Sequence, residues 1–201
     1  MGENVSKQKV VEAASILFFQ KGYHGTSVRD IAKKASVNVS LISYYFKGKQ
    51  GLFEHAVTDY YEEYLHSIET LLKDMSQVSA IEQLKELTQF IIQYKQMHLQ
   101  LSCLIQRELS LDSIFVREMA VTYLAKENYF LKQVFQNALQ EANKRLTHFD
   151  YLFMQLKGML ITPYMLHNDW RDQVVGQYSH DRFVSQYVQT IHQWIDFIVS
   201  T

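Results

Sequence analysis

A polypeptide of 201 residues with a single proline, Pro163, and seven glycines has few places to break a helix. Glycine and proline are the strongest local punctuators of regular structure, so their scarcity favours long helices over a strand-and-turn architecture. After Gly51 neither interrupts a stripe of Leu52, Phe53, Ala56, Val57, Tyr60, Tyr61, Tyr64, Leu65, Ile68 and Leu72. That spacing is helical and predicts one long helix from about Lys49 to Leu72. Hydrophobic residues make up 47% of the chain, enough for a sizeable core. The expected fold class is therefore all-α.

Ahead of that helix lie three shorter patterns. Val10, Ala13, Ala14, Leu17 and Phe18 recur at helical spacing and predict a first helix over about Ser6 to Lys21. Thr26 and Ser27 offer oxygens to the free N–H groups that open the next helix, whose apolar face is Val28, Ile31, Ala32 and Ala35. Ala35-Ser36-Val37 reads as a turn. Asn38 is a good N-cap for a third helix running from Val39 to Tyr45, with Leu41, Ile42 and Phe46 inward. Val39, Ser40, Ser43 and Tyr44 are left outside. Two short helices joined by a tight turn, the second with a polar outer face, make a helix-turn-helix, whose second helix enters the DNA major groove.

Charge agrees with that reading. Residues 1–50 carry eight Lys or Arg and three acids, a balance of +5, and the remainder carries −6. A basic head on an acidic body suits a polyanion-binding domain, 1–50, followed by a body, 51–201, with another task.

Residues 10 to 55 resemble the DNA-binding domain of the TetR family of bacterial regulators. The matching positions are Ala13-Ala14, Leu17-Phe18, Gly22-Tyr23, Gly25-Thr26-Ser27, Ile31-Ala32, Ala35, Val37, Tyr45-Phe46, Lys49 and Leu52-Phe53. The run VNVSLISYYFKGKQGLFEH, with Tyr94, Arg107-Glu108 and Arg117-Glu118 later, is also similar to the RefZ-like group of chromosome-capture and division regulators in sporulating bacilli. The resemblance implies a three-helix N-terminal head, a helical ligand-binding and dimerisation body, about nine helices in all, and double-stranded DNA as partner. It implies phosphate contacts from Ser27 and Lys49. It also implies a homodimer on a near-palindrome, acting as a repressor, or in the RefZ-like case acting on FtsZ. Many family members carry tyrosine where this chain has Ser43.

The residues themselves suggest how DNA is read. Val39, Ser40 and Ser43 are small enough to bring the helix close to base edges, and Val39 suits a thymine methyl. Arg29 is the candidate for a guanine contact. Tyr44 faces outward toward the sugar-phosphate backbone, and Tyr45 is expected to be partly structural. Affinity should fall steeply with salt.

In the body, Tyr94, Met97, Tyr123, Phe130 and Met154 are candidates to line an effector pocket. A long unbroken pattern is expected from Ile114 to about Asn143. The segment Phe149 to Leu166 is apolar nearly all round and must be buried on every side. With the last helix, about Asp181 to Val199, it is the expected dimer interface. The residues are Tyr151, Met154, Met159, Tyr187, Ile191, Trp194, Ile195 and Ile198. A partner surface at Arg107-Glu108 and Arg117-Glu118 is the alternative use of the body.

Catalysis and cofactors are not expected. The eight histidines form no HExxH pair, none joins Cys103 at metal-ligand spacing, and there is no GxGxxG or Walker A loop. No apolar run reaches the roughly 20 residues of a membrane span. The N-terminus lacks a basic-then-apolar secretory pattern, and one cysteine permits no intrachain disulfide. The expected location is the bacterial cytoplasm, at the nucleoid.

Overall fold

The computed structural model describes residues 2–109, 114–143, 148–165 and 180–200. Every regular element among the described residues is a helix. The order is α1 (Gly2–Lys21), α2 (Val28–Ala35), α3 (Val39–Phe46), α4 (Lys49–Asp74), α5 (Ala80–Met97) and α6 (Leu99–Leu109). Then come α7 (Ile114–Met119), α8 (Ala125–Glu141), α9 (Phe149–Met165) and α10 (His180–Ser200). Ala120–Leu124 joins α7 to α8 as a wider π turn. Counting that joined run once gives nine helices among the described residues.

The chain forms two compact units, Met1–Glu63 with Leu99–Ser110, and Tyr64–His98 with Leu111–Thr201. In the first, Val10, Ala14 and Phe18 of α1, Ile31 of α2, Ile42 of α3 and Leu52 of α4 are all buried. The rings of Phe18, Tyr23 and Phe53 meet at 5.3–5.9 Å. Helix α6 belongs here because Cys103, Leu104 and Ile105 are buried and α6 packs on α1. The Arg107 guanidinium donates to the Phe19 carbonyl at 3.1 Å and lies over the Phe19 ring.

The α3–α4 corner takes two residues of positive φ, Lys47 at 57° and Gly48 at 113°. The second value is open to glycine alone at low cost. At Gly51 a Cβ would stand 2.0 Å from the Phe46 carbonyl oxygen. Gly51→Ala must therefore push α3 off α4. We expect a loss of about 1–3 kcal/mol, read as a lower thermal midpoint by circular dichroism. An unchanged midpoint would mean that the corner relaxes freely.

In the second unit, α5 packs on α8, α9 and α10. Leu84, Leu87, Ile91 and Ile92 of α5 are fully enclosed, as are Phe135 and Ala138 of α8 and Leu156 of α9. Pro163 sits in the last turn of α9 and has no N–H to give the Met159 carbonyl. That carbonyl instead accepts the Tyr187 hydroxyl of α10 at 2.8 Å. Burial pushes the Tyr187 phenol up. Tyr187→Phe leaves the carbonyl without either donor. We expect a cost of about 1–3 kcal/mol and a thermal midpoint lower by roughly 2–12 °C. Wild-type stability in this variant would show that another donor takes the place.

Several expectations need correcting. α1 begins at Gly2, a turn before Ser6, and α4 runs two residues past Leu72. The run from Ile114 is not one regular helix, because the π turn interrupts it. Within one protomer helix α9 leaves Tyr151 67%, Met154 65% and Met165 57% exposed. The expected turn at 110–113 and the polar segment 167–179 lie outside the described residues.

Candidate nucleic-acid interface

The helix-turn-helix is held by side-chain caps at both starts. Ser27 is the N-cap of α2. Its Oγ accepts the Asp30 N–H at 3.2 Å and donates to Asp30 Oδ2 at 2.7 Å, while the Ser27 N–H donates to the same oxygen. This is a capping box with aspartate in the acidic position. The Ser27 hydroxyl and backbone bonds hold the Asp30 carboxyl below its ordinary value. α2 stops at Ser36, which turns left-handed at φ 56° and gives its N–H to Ala32 and Lys33. Asn38 then caps α3, its side chain accepting the Ser40 N–H at 2.9 Å and the Ser40 hydroxyl at 2.8 Å. Each cap satisfies an N–H that would otherwise be orphaned, so the turn is specified by sequence.

Thr26 does not cap α2. It is 2% exposed, and its hydroxyl donates back to Leu17 and Gly22 at the end of α1. Lys49 has a structural role that the resemblance does not imply. Its ammonium donates to the carbonyls of Tyr23 and Thr26 at 2.9 and 3.0 Å and sits 4.4 Å from the Tyr23 ring centre. It thus staples α4 to the α1–α2 loop. Two of its three N–H groups are committed inside the protein, which leaves one for a phosphate.

The outer face of α3 is as the pattern places it. Val39 is 43% exposed, Tyr44 76%, and Ser40 and Ser43 are exposed, while Ile42 and Phe46 are buried. Arg29 is exposed on α2. Tyr45 is half-buried, its ring 5.0 Å from Tyr44 and 4.9 Å below the Lys7 ammonium. The Lys7 contact has no signature in a short motif, because α1 and α3 meet only in the fold. Small polar groups flanked by cations can read base edges and grip phosphates.

The body candidates do not converge. Tyr94 is buried, with its ring 5.0 Å from Tyr64 and 4.4 Å from His98. Met97 is 78% exposed, Met154 is exposed, and Tyr123 and Phe130 are half-buried. An open groove of about 1080 Å³ runs between α5 and α10, and Met97 alone of these five lines it. Gln89, Gln93, Gln96, Gln189 and Gln193 also line it, with the Lys85–Asp196 ion pair.

Of the interface residues, Ile191 and Ile195 are 1% and 0% exposed. Their own protomer encloses them, so they serve its core, not a partner. Met159, Tyr187, Trp194 and Ile198 are half-buried, and Trp194 stacks on Phe135 at 6.3 Å. Tyr151 and Met154 are open, and Phe197, 63% exposed, is an open residue that the sequence reading passed over.

Sequence reading also passed over a buried charge cluster. Lys95 is 4% exposed and Glu127 8%. The Lys95 ammonium lies 3.5 Å from Glu127 Oε1, which also accepts the Tyr64 hydroxyl at 3.0 Å. Lys157 donates to Asn128 close by. The signal existed: Leu84, Leu87, Thr88, Ile91, Ile92 and Lys95 share one buried face of α5. Among the described residues no group of His, Cys, Asp and Glu is placed to hold a metal. No described helix is long and apolar enough to cross a membrane.

A capped helix pair with an open, polar second helix on an all-helical chain defines a helix-turn-helix regulator. Residues 10–56 match the family described as bacterial regulatory proteins, tetR family. The chain is 39% identical to the probable HTH-type transcriptional regulator YttP of Bacillus subtilis, over 98% of this chain and 95% of that protein. It is 32% identical to the IcaR negative transcriptional regulator of the biofilm operon icaADBC in Staphylococcus aureus, over 48% of this chain and 53% of that one. A linker-substituted mutant of HlyIIR has the same fold, with a TM-score of 0.73 at 21% identity, covering 93% of this chain and 95% of that one. The chain belongs to the TetR family and is a transcriptional regulator of that type.

Proposed function

We propose that this protein is a cytoplasmic homodimeric repressor that binds near-palindromic DNA through α3. The observation that carries the reading is the open face of Val39, Ser40, Ser43 and Tyr44, with exposed Arg29 beside it, on a helix fixed by caps at both ends. IcaR is named as a negative regulator, and its similarity to nearly half of this chain supports repression as the output. The open stripe of Tyr151, Met154 and Met165 on α9, with Phe197 on α10, is the surface we assign to the second protomer. Two heads held by one dyad would meet half-sites about one helical turn apart.

The test is capture of genomic fragments by the purified protein at near-physiological salt. One or two palindromes beside promoters support repression. Sites scattered over one chromosomal region, away from promoters, support the second reading, a RefZ-like positioning role with FtsZ as partner. That reading rests on the resemblance of the run VNVSLISYYFKGKQGLFEH to the RefZ-like group. No enriched fragment at all would sink both. A small-molecule effector, if this body takes one, has the α5–α10 groove to enter rather than a site built from Tyr94, Tyr123, Phe130 and Met154.

A further inference from the structure

A shallow cleft of about 260 Å³ opens at the end of α3, lined by Lys7, Tyr45, Phe46, Lys47, Gly51 and His55. It lies on the flank of α3, next to the open face that carries Ser40, Ser43 and Tyr44. An α-helix with its side chains is about as wide as the B-DNA major groove. A helix seated there presents its outer face to base edges and its flanks to the phosphate walls. Residues on the Tyr45 flank therefore meet backbone, not bases.

The cleft carries unbalanced positive charge. The Lys7 ammonium rests over the Tyr45 ring, and Lys47 is exposed on the left-handed corner between α3 and α4. Among the described residues neither has a carboxylate within ion-pair distance. His55 lies against Phe46 at 5.2 Å between ring centres, and its Nε2 is 3.3 Å from Asp59 Oδ2. Asp59 offsets any charge on His55, so the surplus belongs to the two lysines. The contrast with Lys49, whose ammonium is tied to two backbone carbonyls, is direct.

We infer that this cleft is a phosphate seat, in which Lys7 and Lys47 together grip one DNA backbone phosphate per head and set how α3 lies in the groove. The inference rests on the DNA-binding reading and adds residues and chemistry to it. Lys7 brings α1 into the interface, and its aromatic seat under the ammonium fixes the cation in place without neutralising it. Lys47, on the left-handed cap that ends α3, supplies the second cation lining the same cleft.

The experiment is fluorescence anisotropy on a labelled mixed-sequence duplex, titrated across about 50 to 200 mM salt. Each phosphate released flattens the slope of log affinity against log salt by about 0.9. The double variant Lys7→Ala with Lys47→Ala is expected to flatten it by about that amount per head, with an unchanged thermal midpoint. Lys47→Arg is expected to keep the slope. Lys73→Ala, an exposed lysine at the end of α4 in the body, serves as the control for general charge and should leave the slope as it is. A double variant with the wild-type slope overturns the seat, and so does a slope that Lys73→Ala flattens equally. A wild-type chain that binds the duplex with no salt dependence would remove the DNA-binding reading itself, and this inference with it.

Discussion

Glu127→Ala is expected to cost about 3–5 kcal/mol and lower the thermal midpoint by roughly 6–20 °C. Glu127 is the carboxylate beside two ammoniums in the interior of the second unit. Lys95 stands 3.5 Å away at 4% exposure, and Lys157 feels Glu127 electrostatically. Removing the carboxylate leaves the buried Lys95 ammonium with the Leu160 carbonyl but without its counter-charge, and leaves the Tyr64 hydroxyl without this acceptor. The desolvation cost of such a charge exceeds what a surface pair is worth. Replacing both members, Lys95→Met with Glu127→Leu, should recover part of the loss, because the deeply buried Lys95 charge is removed with its partner and only the less buried Lys157 loses the carboxylate. The pH dependence follows from Lys157. Burial pushes its pKa down, Glu127 opposes that shift and Lys95 adds to it. A lysine with a depressed folded pKa favours the fold most when neutral, above the ordinary lysine range, and less as pH falls through its folded value. The deficit of Glu127→Ala should therefore narrow as pH rises toward about 10. A midpoint within about 1 °C of wild type at neutral pH would show that water reaches the cluster and the pair is worth little.

Tyr44→Ala is expected to weaken DNA binding by about 10- to 100-fold for each head, and so by about 100- to 10,000-fold for a dimer, with no change in thermal midpoint. The side chain is 76% exposed and takes no part in the core, so its removal leaves no cavity. Hydrogen bonds to a charged acceptor such as a phosphate are worth about 1.5–3 kcal/mol, and a dimer would lose one on each head. Anisotropy on a captured genomic site and on a mixed-sequence duplex separates two modes. Equal losses on both place Tyr44 on the backbone, and a larger loss on the captured site places it on a base edge. A loss under about twofold on both would take Tyr44 out of the interface.

How much of this was legible in the sequence depended on range. The helix pair was legible because each of its signals is local. Ser27, Ser36 and Asn38 act on backbone within four residues of themselves, and Ile31, Ile42 and Phe46 follow a 3.6-residue period. The class of protein followed from the same stretch. The staple that Lys49 makes was not legible because its acceptors, the carbonyls of Tyr23 and Thr26, lie more than twenty residues earlier. Thr26 was misjudged because its hydroxyl turned back to Leu17.

The body shows the same division more sharply. Hydrophobicity marked Ile191 and Ile195 as apolar, but only packing decided that their own protomer consumes them, leaving Tyr151, Met154 and Phe197 open. Composition marked Phe149 to Leu166 as apolar, but only packing showed which stripe of it is covered. Lys95 and Glu127 are far apart in the chain and ordinary in composition, and α5 and α8 had to pack before the two became a buried pair. Caps, turns and periodicity act over one or two helical turns, so the chain alone determined them. Burial, ion pairing and the choice of which cation stays open are sums over neighbours from distant segments, and tertiary structure alone decided those.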